Sequence, residues 1–325
     1  MILRVDFNVL LRNGSIGDTY RIKRTLPTID WLKNNGAKTI IISHLSSGKA
    51  KSLASVAEHL NKVFNLNLAF LDSLDFELIK NKIDKMPSGE SLLLENIRIH
   101  KREEENDENF ARKLALLGDI YINDAFSVAH RAHASIVGIT KYLPSYAGLL
   151  FNEEIESLES VFNPKHPFLI ILGGVKAGSK LGVIDKFLKI ADHVFIGGAL
   201  ANNFFKARGD DIGESVFDRS VAVEEYLSNE KIILPADVVR KDNKILDIGQ
   251  KTTDELVELI KKEKFILWNG PLGNTEKGFD KSTKIIAQAI ANSGAKSIIG
   301  GGDTVAVVNK MGLIDKFSFV STGGG

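Results

Sequence analysis

The segment Pro167-Phe-Leu-Ile-Ile-Leu-Gly-Gly-Val-Lys-Ala-Gly-Ser-Lys180 decides the fold of this chain. Its apolar run stops at a glycine pair and residues 181–190 then have helical spacing, which predicts a buried strand, a loop and a helix. Glycines in such a loop let backbone N–H groups approach an anion, and a helix N-terminus favours negative charge. Lys176 and Lys180 add full positive charges there. The segment therefore predicts a phosphate-binding site.

Two other interpretations of this segment are open. Gly173 and Gly178 have the spacing of the P-loop of nucleoside triphosphatases, but Ser179-Lys180 reverses the order that the motif requires. The lysine then lies one residue further along, so the segment is a near miss to that motif. The second alternative is an ordinary turn between a strand and a helix, with two solvated lysines.

The composition describes a globular chain without a dominant charge. Its 325 residues are 44% apolar and 26% charged, and this length predicts about two domains. The 42 basic residues nearly balance the 41 acidic ones, which argues against a nucleic-acid or membrane partner. Cysteine is absent, which excludes disulfides, thiolate metal sites and a cysteine nucleophile. With no signal peptide and no apolar run of about 18 residues, we expect a cytoplasmic enzyme.

The first half of the chain alternates predicted strands with predicted helices. Pro27 would lie in the first turn of the first helix, where proline is tolerated. The highly charged run 101–108 predicts a solvated helix start. Strands separated by helices imply βαβ units and an α/β fold with a mainly parallel sheet. Strands are predicted at 1–10, 37–44, 66–71, 91–94 and 119–126, and helices at 25–35, 52–64 and 106–117.

Polar and cationic residues follow the predicted strands of this half. Ligands of a parallel sheet bind beyond the carboxyl ends of its strands. Arginines at such an edge suit a small, multiply anionic substrate, because arginine can bind phosphate or carboxylate with two hydrogen bonds. Taken singly, each residue is more simply explained as solvated surface. The candidates are Asp6, Asn8, Arg21, His44, Arg98, His130, Arg131 and His133.

A domain boundary is predicted near the middle of the chain. Residues 152–162 have the pattern of an acidic amphipathic helix with Asn152 as its N-cap, and prolines interrupt residues 163–167. We therefore expect an N-terminal domain at 1–150, a connecting helix at 151–163 and a C-terminal domain at 164–325.

In the second half, apolar runs repeatedly end in glycine. The glycines lie at 173–174, 197–198, 270 and 273, 300–302 and 323–325. At one sheet edge they would form a surface on which a flat base and a phosphate chain lie close to the backbone, which predicts a nucleotide. Asp303 and Glu276 are candidates for the Mg²⁺ ion and the ribose, since Mg²⁺ is usually held by one or two carboxylates and phosphates. A cationic half and a glycine-rich half suggest phosphoryl transfer between two hinged domains.

Motifs along essentially the whole chain resemble those of the phosphoglycerate kinase family. The resemblance implies two Rossmann-like three-layer domains with mainly parallel sheets, joined by a helix and hinge. It implies reversible glycolytic phosphoryl transfer between ATP and 3-phosphoglycerate, giving ADP and 1,3-bisphosphoglycerate, with Mg²⁺; we also expect a monomer. The motifs include Arg4-Val-Asp-Phe-Asn-Val9, Ser43-His-Leu45, Leu93-Leu-Glu-Asn-Ile-Arg98, His130-Arg-Ala-His-Ala-Ser135, Gly173-Gly-Val-Lys176, Trp268-Asn-Gly-Pro271, Gly300-Gly-Gly-Asp-Thr304 and Ser321-Thr-Gly-Gly-Gly325.

The resemblance also implies residue roles. Phosphoglycerate would be held by Asp6, Asn8, Arg21, His44, Arg98 and Arg131. The nucleotide would be held by Lys180, Gly197, Gly198, Pro271, Glu276, Gly301, Gly302, Asp303 and Thr304, with Mg²⁺ at Asp303. The catalytic groups at the transferred phosphoryl would be Arg21, Lys176, Gly323 and Gly324.

Two departures from the family pattern leave alternatives open. Ser46-Ser47-Gly48-Lys49 stands where the family has Gly-Arg-Pro, so one substrate arginine is missing, and Lys49 or Lys51 could replace it. The sequence ends at Gly325 where the family continues, and a carboxylate about 4 Å from a phosphate would repel it by about 1–4 kcal/mol. The alternatives are a nucleotide-binding homologue with weak or no turnover, and a kinase of a related phosphorylated acid.

Overall fold

Two compact units make up the chain, Met1–Ile155 and Glu156–Gly325. The computed structural model describes residues 1–9, 11–12, 15–17, 19–45, 52–175, 178 and 180–323. Each unit contains a six-stranded sheet, and all hydrogen-bonded strand pairs of these two sheets are parallel. In the described residues, we find no helix with the length and apolar character that a membrane span requires.

The first unit alternates strands and helices, as predicted. Its sheet has the order β5-β6-β4-β1-β7-β8, and β2 and β3 form a separate antiparallel pair. The elements are β1 (Ile2–Arg4), β2 (Leu11–Arg12), β3 (Ser15–Ile16), α1 (Tyr20–Asn34), β4 (Thr39–Ile42), α2 (Ala54–Phe64), β5 (Ala69–Leu71), α3 (Phe76–Lys85), β6 (Ser91–Leu94), α4 (Lys101–Glu104), α5 (Glu108–Ala115), β7 (Tyr121–Asn123), β8 (Ser145–Ala147) and α6 (Leu149–Glu159).

Apolar side chains cover both faces of this sheet. In β4, Ile40 and Ile42 pack into one buried cluster, whereas Ile41 packs into a second cluster with Leu3 of β1. Successive side chains of a strand point to opposite faces, so the sheet is the middle layer of three. Burial on both faces explains why β4 is a continuous apolar run without polar alternation.

Helix starts in this unit differ from the prediction. Helix α1 begins at Tyr20, five residues before the predicted start, so Pro27 lies inside the helix and not in its first turn. Tyr20 and Ile22 are buried, and their packing outweighs the local signal that proline gives. Helix α3 was not predicted, although Asp75 caps it by accepting hydrogen bonds from the N–H groups of Glu77 and Leu78.

Helix α6 also begins earlier than predicted. Asn152 lies inside the helix, where its N–H donates to Gly148 O at 3.0 Å, so its predicted role as N-cap is wrong. A distant acceptor stands in for the local cap: the carboxylate Oδ1 of Asp124 accepts from the N–H of Phe151 at 3.0 Å. A cap supplied 27 residues away leaves no pattern next to the helix itself.

The second unit has the strand of segment 167–180 at the centre of its sheet. Strand β9 lies between β10 and β14 in a sheet of order β11-β10-β9-β14-β15-β16, which confirms the predicted buried strand. The elements are β9 (Phe168–Leu172), α7 (Leu181–Phe187), β10 (His193–Ile196), α8 (Gly198–Arg208), β11 (Ile232–Ile233), β12 (Val238–Lys241), β13 (Lys244–Ile248), α9 (Gln250–Ile260), β14 (Phe265–Asn269), α10 (Lys281–Asn292), β15 (Lys296–Gly300), α11 (Gly302–Lys310) and β16 (Phe319–Val320).

Glycines allow the loops after β9 and β14 to touch through their backbones. A Cβ atom on Gly173 would lie 2.2 Å from Pro271 O and 2.6 Å from Gly270 O. Gly270 has φ +94°, and a Cβ atom there would lie 2.3 Å from Gly173 O. Backbone oxygens cannot rotate away as the end of a side chain can. This edge of the sheet therefore depends on glycine at both positions.

We expect Gly173→Ala to destabilise the second unit by about 1–3 kcal/mol, because the two loops must separate to admit the methyl group. Gly182→Ala is the matched control, since a Cβ atom there meets nothing within 4 Å, and it should be neutral or stabilising by up to ~1 kcal/mol. Urea unfolding followed by Trp268 fluorescence, in a Trp31→Phe background, reports on this unit. Equal stabilities for the two alanine variants would contradict the packing argument.

Candidate active site

The carboxyl edge of the first sheet collects several of the predicted substrate residues. Asp6 follows β1, and its Oδ2 accepts from the Arg21 guanidinium at 2.8 Å and from the Ser127 hydroxyl. The N–H of Asn8 donates to Asp6 Oδ1 at 3.0 Å. The Arg21 side chain is 28% exposed, so it can bind a ligand while Asp6 fixes its position.

His44 follows β4 at the same edge and is 1% exposed. Burial holds the pKa of His44 far below its ordinary value, and the charges of Arg4, Arg98, Arg131 and Arg21 lower it further. Its Nδ1 lies 3.9 Å from Asp6 Oδ1, but a neutral imidazole does not form an ion pair there. His44 is therefore a neutral hydrogen-bonding group among cations.

Arg98 lies in a short 3-10 segment after β6. Asn96 caps this segment and also hydrogen-bonds both backbone groups of Leu45, which joins the loops after β6 and β4. The Arg98 side chain is 8% exposed, and its Nε and Nη2 are buried with no hydrogen-bond partner among the described residues. Its ion pair with Glu104 is long, at 3.4 Å, and burial lowers the Arg98 pKa. A buried guanidinium with free N–H groups is suited to bind an anion.

The candidates after β7 have different environments. Arg131 is exposed, and its charge acts on both His44 and Arg98. His133 is buried, with Nδ1 3.8 Å from Glu103 Oε1, and no contact places His130 in the cluster among the described residues. Glu103 is fully buried, so the prediction that the run 101–108 is a solvated helix start is wrong at this residue. The hydroxyl and N–H of Ser135 donate to the Glu103 carboxylate. These two hydrogen bonds replace the ones that water would donate to an exposed carboxylate.

In the second unit, Lys180 precedes α7 and is only 7% exposed. Its ammonium donates to Asn269 Oδ1 at 2.6 Å and to Asn269 O at 3.2 Å. Burial lowers the Lys180 pKa to about 8. Because Asn269 ends β14, the ammonium of Lys180, predicted from segment 167–180, lies at the carboxyl edge of this sheet.

A cavity of about 330 Å³ lies at this edge, between the loops after β9, β10 and β14 and the start of α11. Both apolar and polar groups line it, which is typical of a small-molecule site. Gly197 does not line it: this residue is buried, and a Cβ atom there would lie 2.6 Å from Leu272 Cδ2. The predicted residues that line the cavity are Gly198, Pro271, Glu276 and Asp303.

The start of α11 presents polar groups near this cavity. Gly301 has φ +89° and precedes the helix, whose first residues are Gly302, Asp303 and Thr304. Thr304 is fully buried, and its Oγ1 has no hydrogen-bond partner among the described residues. Asp303 is exposed. A helix N-terminus with a free hydroxyl is suited to bind phosphate.

Of the remaining predicted catalytic residues, Gly323 is the last described residue of the chain. The N–H of Gly323 donates to Ser321 Oγ at 3.0 Å. Lys176, Gly324 and the loop 46–51, with Lys49 and Lys51, lie outside the described residues. The described part of the chain contains no group of three histidine or carboxylate residues arranged to hold a metal ion.

Comparison with known proteins shows what this arrangement is similar to. The sequence model of the family described as phosphoglycerate kinase matches residues 1–325. The chain belongs to the phosphoglycerate kinase family. The phosphoglycerate kinases of Borrelia garinii subsp. bavariensis and Dictyoglomus turgidum are each 41% identical to it. Both alignments cover 100% of this chain, and they cover 91% and 90% of those relatives, respectively.

Solved structures of phosphoglycerate kinases have the same fold. The enzyme from Coxiella burnetii is 34% identical with a TM-score of 0.79, and the alignment covers 100% of this chain and 90% of that one. The enzyme from Pyrococcus horikoshii OT3 is 30% identical with a TM-score of 0.89, and the alignment covers 99% and 90%. The predicted fold class and family are therefore confirmed.

The family assignment also confirms the predicted activity. Members of the phosphoglycerate kinase family transfer a phosphoryl group between ATP and 3-phosphoglycerate, giving ADP and 1,3-bisphosphoglycerate, and the chain is a glycolytic kinase of this kind. The comparisons do not favour either alternative, a nucleotide-binding homologue without turnover or a kinase of a related acid.

Several residues of the candidate site were not predicted. Arg4 and Ser127 hold predicted residues in place, and Asn269 holds Lys180. Arg4, Asn96 and Asn269 stand in the motifs that carry the family resemblance, but no role in the site was predicted for them. Each of these residues contacts a partner distant in sequence, so its role could not be predicted from a local pattern.

We expect Arg98→Met to make the unliganded protein more stable by about 1 kcal/mol. The substitution removes a buried charge whose Nε and Nη2 have no hydrogen-bond partner in the described structure, and it keeps an apolar stem of similar length. Arg102→Met, at an exposed position four residues along, should leave the stability unchanged. Chemical unfolding of both variants provides the measurement, and a loss of stability in Arg98→Met would count against an unsatisfied cation at this site.

Proposed function

We propose that the first unit binds 3-phosphoglycerate with the residues at the carboxyl edge of its sheet. The observation that carries this proposal is the buried Arg98 guanidinium, whose Nε and Nη2 have no hydrogen-bond partner among the described residues, beside neutral His44. A phosphate or carboxylate group would supply the acceptors that Arg98 lacks. The proposed ligands are Asp6, Asn8, Arg21, His44, Arg98 and Arg131, where Asp6 acts by holding Arg21.

We propose that the second unit binds ATP or ADP at the cavity beside α11. The base and ribose would lie along Gly198, Pro271 and Glu276, and the phosphates along Lys180, Gly301, Gly302 and Thr304. This placement is supported by the cavity lining, the buried ammonium of Lys180 and the Oγ1 of Thr304, which has no hydrogen-bond partner in the described part of the chain. Gly197 would act indirectly, because it allows Leu272 to pack close to the backbone.

Mg²⁺ fits this site as an ion carried by the nucleotide. The described residues provide no cluster of three metal ligands, whereas Asp303 offers one exposed carboxylate in the first turn of α11. One carboxylate together with phosphate oxygens is a usual environment for Mg²⁺. When bound, the ion would neutralise charge on the phosphate oxygens. We therefore propose Asp303 as its protein ligand.

The acceptor chemistry needs no catalytic base. The carboxylate of 3-phosphoglycerate is already ionised at neutral pH, so its oxygen attacks the γ-phosphorus directly while the bond to the β-phosphate oxygen breaks. Catalysis then depends on positioning and on stabilising the charge of the transferred group. We propose that Arg21, Lys176 and the N–H groups of Gly323 and Gly324 provide this stabilisation.

We also propose the predicted organisation for the enzyme in the cell. It would act as a monomer in the cytoplasm, without nucleic-acid or membrane partners, which agrees with its nearly balanced charge. Residues 1–150 would form the phosphoglycerate domain, 151–163 the connecting helix and 164–325 the nucleotide domain.

Steady-state kinetics tests the assignment of the two substrates. In a coupled assay of 3-phosphoglycerate-dependent ATP consumption with Mg²⁺, we expect Arg98→Met to raise the KM for 3-phosphoglycerate by about 10–100-fold, with little change for ATP. Lys180→Met should raise the KM for ATP, with little change in the KM for 3-phosphoglycerate. The controls are Arg102→Met and Lys189→Met, both at exposed positions. An unchanged KM for 3-phosphoglycerate in Arg98→Met would remove the main support for the proposal.

ATP affinity should depend on pH through Lys180. Without bound nucleotide, the Lys180 ammonium has a pKa of about 8, so it is charged below pH 8 and increasingly neutral above it. ATP binds the charged form better, and its affinity should therefore be flat below pH 8 and fall by up to about tenfold per pH unit above it. Lys180→Arg should abolish this dependence because arginine stays charged. Calorimetric titrations between about pH 7 and 9.5 provide the measurement. If Lys180 were not involved, the ATP affinity would decline in parallel in the unmodified protein and in Lys180→Arg.

A further inference from the structure

Arg4 is a fully buried cation whose hydrogen bonds all stay inside the first unit. It lies in β1, below the carboxyl edge that carries the candidate substrate residues. Its Nη1 donates to Val5 O, its Nε to Ser135 Oγ at 3.0 Å, and its Nη2 meets His44 Nδ1 at 3.1 Å. Each nitrogen of the guanidinium thus has a defined partner, which fixes the plane of the group.

Ser135 connects Arg4 to a buried carboxylate. Its hydroxyl accepts from Arg4 and donates its own hydrogen to Glu103 Oε1 at 2.6 Å, while its N–H donates to Oε2 at 2.9 Å. The hydroxyl of Tyr121 donates to Ser135 O at 2.6 Å and fixes the serine backbone. Glu103 is 0% exposed, so its negative charge compensates Arg4 through one hydroxyl group.

The contact between Arg4 and His44 determines which nitrogen of His44 carries the proton. A guanidinium has only donors, so His44 Nδ1 must accept, and the proton of the neutral ring is on Nε2. Among the described residues, Nε2 has no hydrogen-bond partner. Its N–H is therefore available to an anionic oxygen, whereas the other tautomer would present a lone pair that repels one.

We propose that Arg4 and Ser135 are positioning residues for 3-phosphoglycerate. Together with Glu103 they form a chain of hydrogen bonds, called the relay below, which holds His44 as the Nε2–H tautomer that donates to the substrate. This inference rests on the proposed role of His44 as a substrate ligand. Neither Arg4 nor Ser135 needs to touch the substrate, because both act through the imidazole.

Nuclear magnetic resonance of the unmodified enzyme gives the first test. Long-range proton–nitrogen spectra distinguish the two tautomers and the cation, and the His44→Gln variant identifies the His44 signals among the seven histidines. We expect the Nε2–H pattern at pH 7 with and without 3-phosphoglycerate. An Nδ1–H or doubly protonated ring would overturn the proposal whether or not any variant of the relay folds.

Variants of the relay give the second test. Ser135→Ala removes the acceptor of Arg4 Nε, and Arg4→Met removes the donor to His44. We expect each to mix the His44 tautomers and to raise the KM for 3-phosphoglycerate by about tenfold with the KM for ATP unchanged. Ser135→Thr keeps the hydroxyl and should restore both properties. Thr140→Ala is the matched control, since that exposed hydroxyl donates to Val137 O in the preceding turn and has no other partner among the described residues.

The outcomes separate this inference from the proposed function. If His44→Leu, which has no hydrogen-bond donor, leaves the KM for 3-phosphoglycerate unchanged, His44 is not a ligand, and both the role of His44 and the relay fail. If His44→Leu raises that KM but Ser135→Ala and Arg4→Met change neither the tautomer nor the KM, the substrate site stands and the relay is refuted. A relay variant that only loses stability, with normal KM and tautomer, also refutes it.

Discussion

Parallel pairing is the constraint on which the rest of this structure depends. Every hydrogen-bonded pair in both six-stranded sheets is parallel, so all strands of a sheet end at the same edge. Residues from β1, β4, β6 and β7 that are far apart in sequence therefore meet in the first unit. The glycine loops after β9, β10, β14 and β15 do so in the second. Chain connectivity alone assembles the two candidate substrate sites.

The two edges use opposite means to attract an anion. The first unit buries the Arg98 guanidinium, whose Nε and Nη2 have no hydrogen-bond partner among the described residues, so an anionic ligand would supply the missing acceptors. The second unit instead brings backbone and one buried ammonium, Lys180, to the edge. Side chains suit a small acid with charges in fixed positions, whereas backbone suits a long phosphate chain that must move with its ion.

The central strand and the positions of the substrate candidates could be predicted because their signals are local. A continuous apolar run that ends in glycine marks β9, and polar residues directly after apolar runs mark Asp6, His44 and Arg98. The starts of α1 and α6 could not be predicted, since they are determined by the packing of Tyr20 and by the hydrogen bond that the N–H of Phe151 donates to Asp124. Glu103 seemed solvated for the same reason: its partner Ser135 lies 32 residues further along the chain. The roles of Lys176 and Gly324 remain predictions.

The contact between the loops of Gly173 and Gly270 also limits how such a sequence can evolve. Every single-nucleotide change in a glycine codon that alters the residue introduces a Cβ atom or stops translation. At these two positions the atom would meet backbone oxygen at 2.2–2.3 Å. No neighbouring residue type offers a tolerated intermediate, so neither glycine can be exchanged stepwise while the loops keep their spacing.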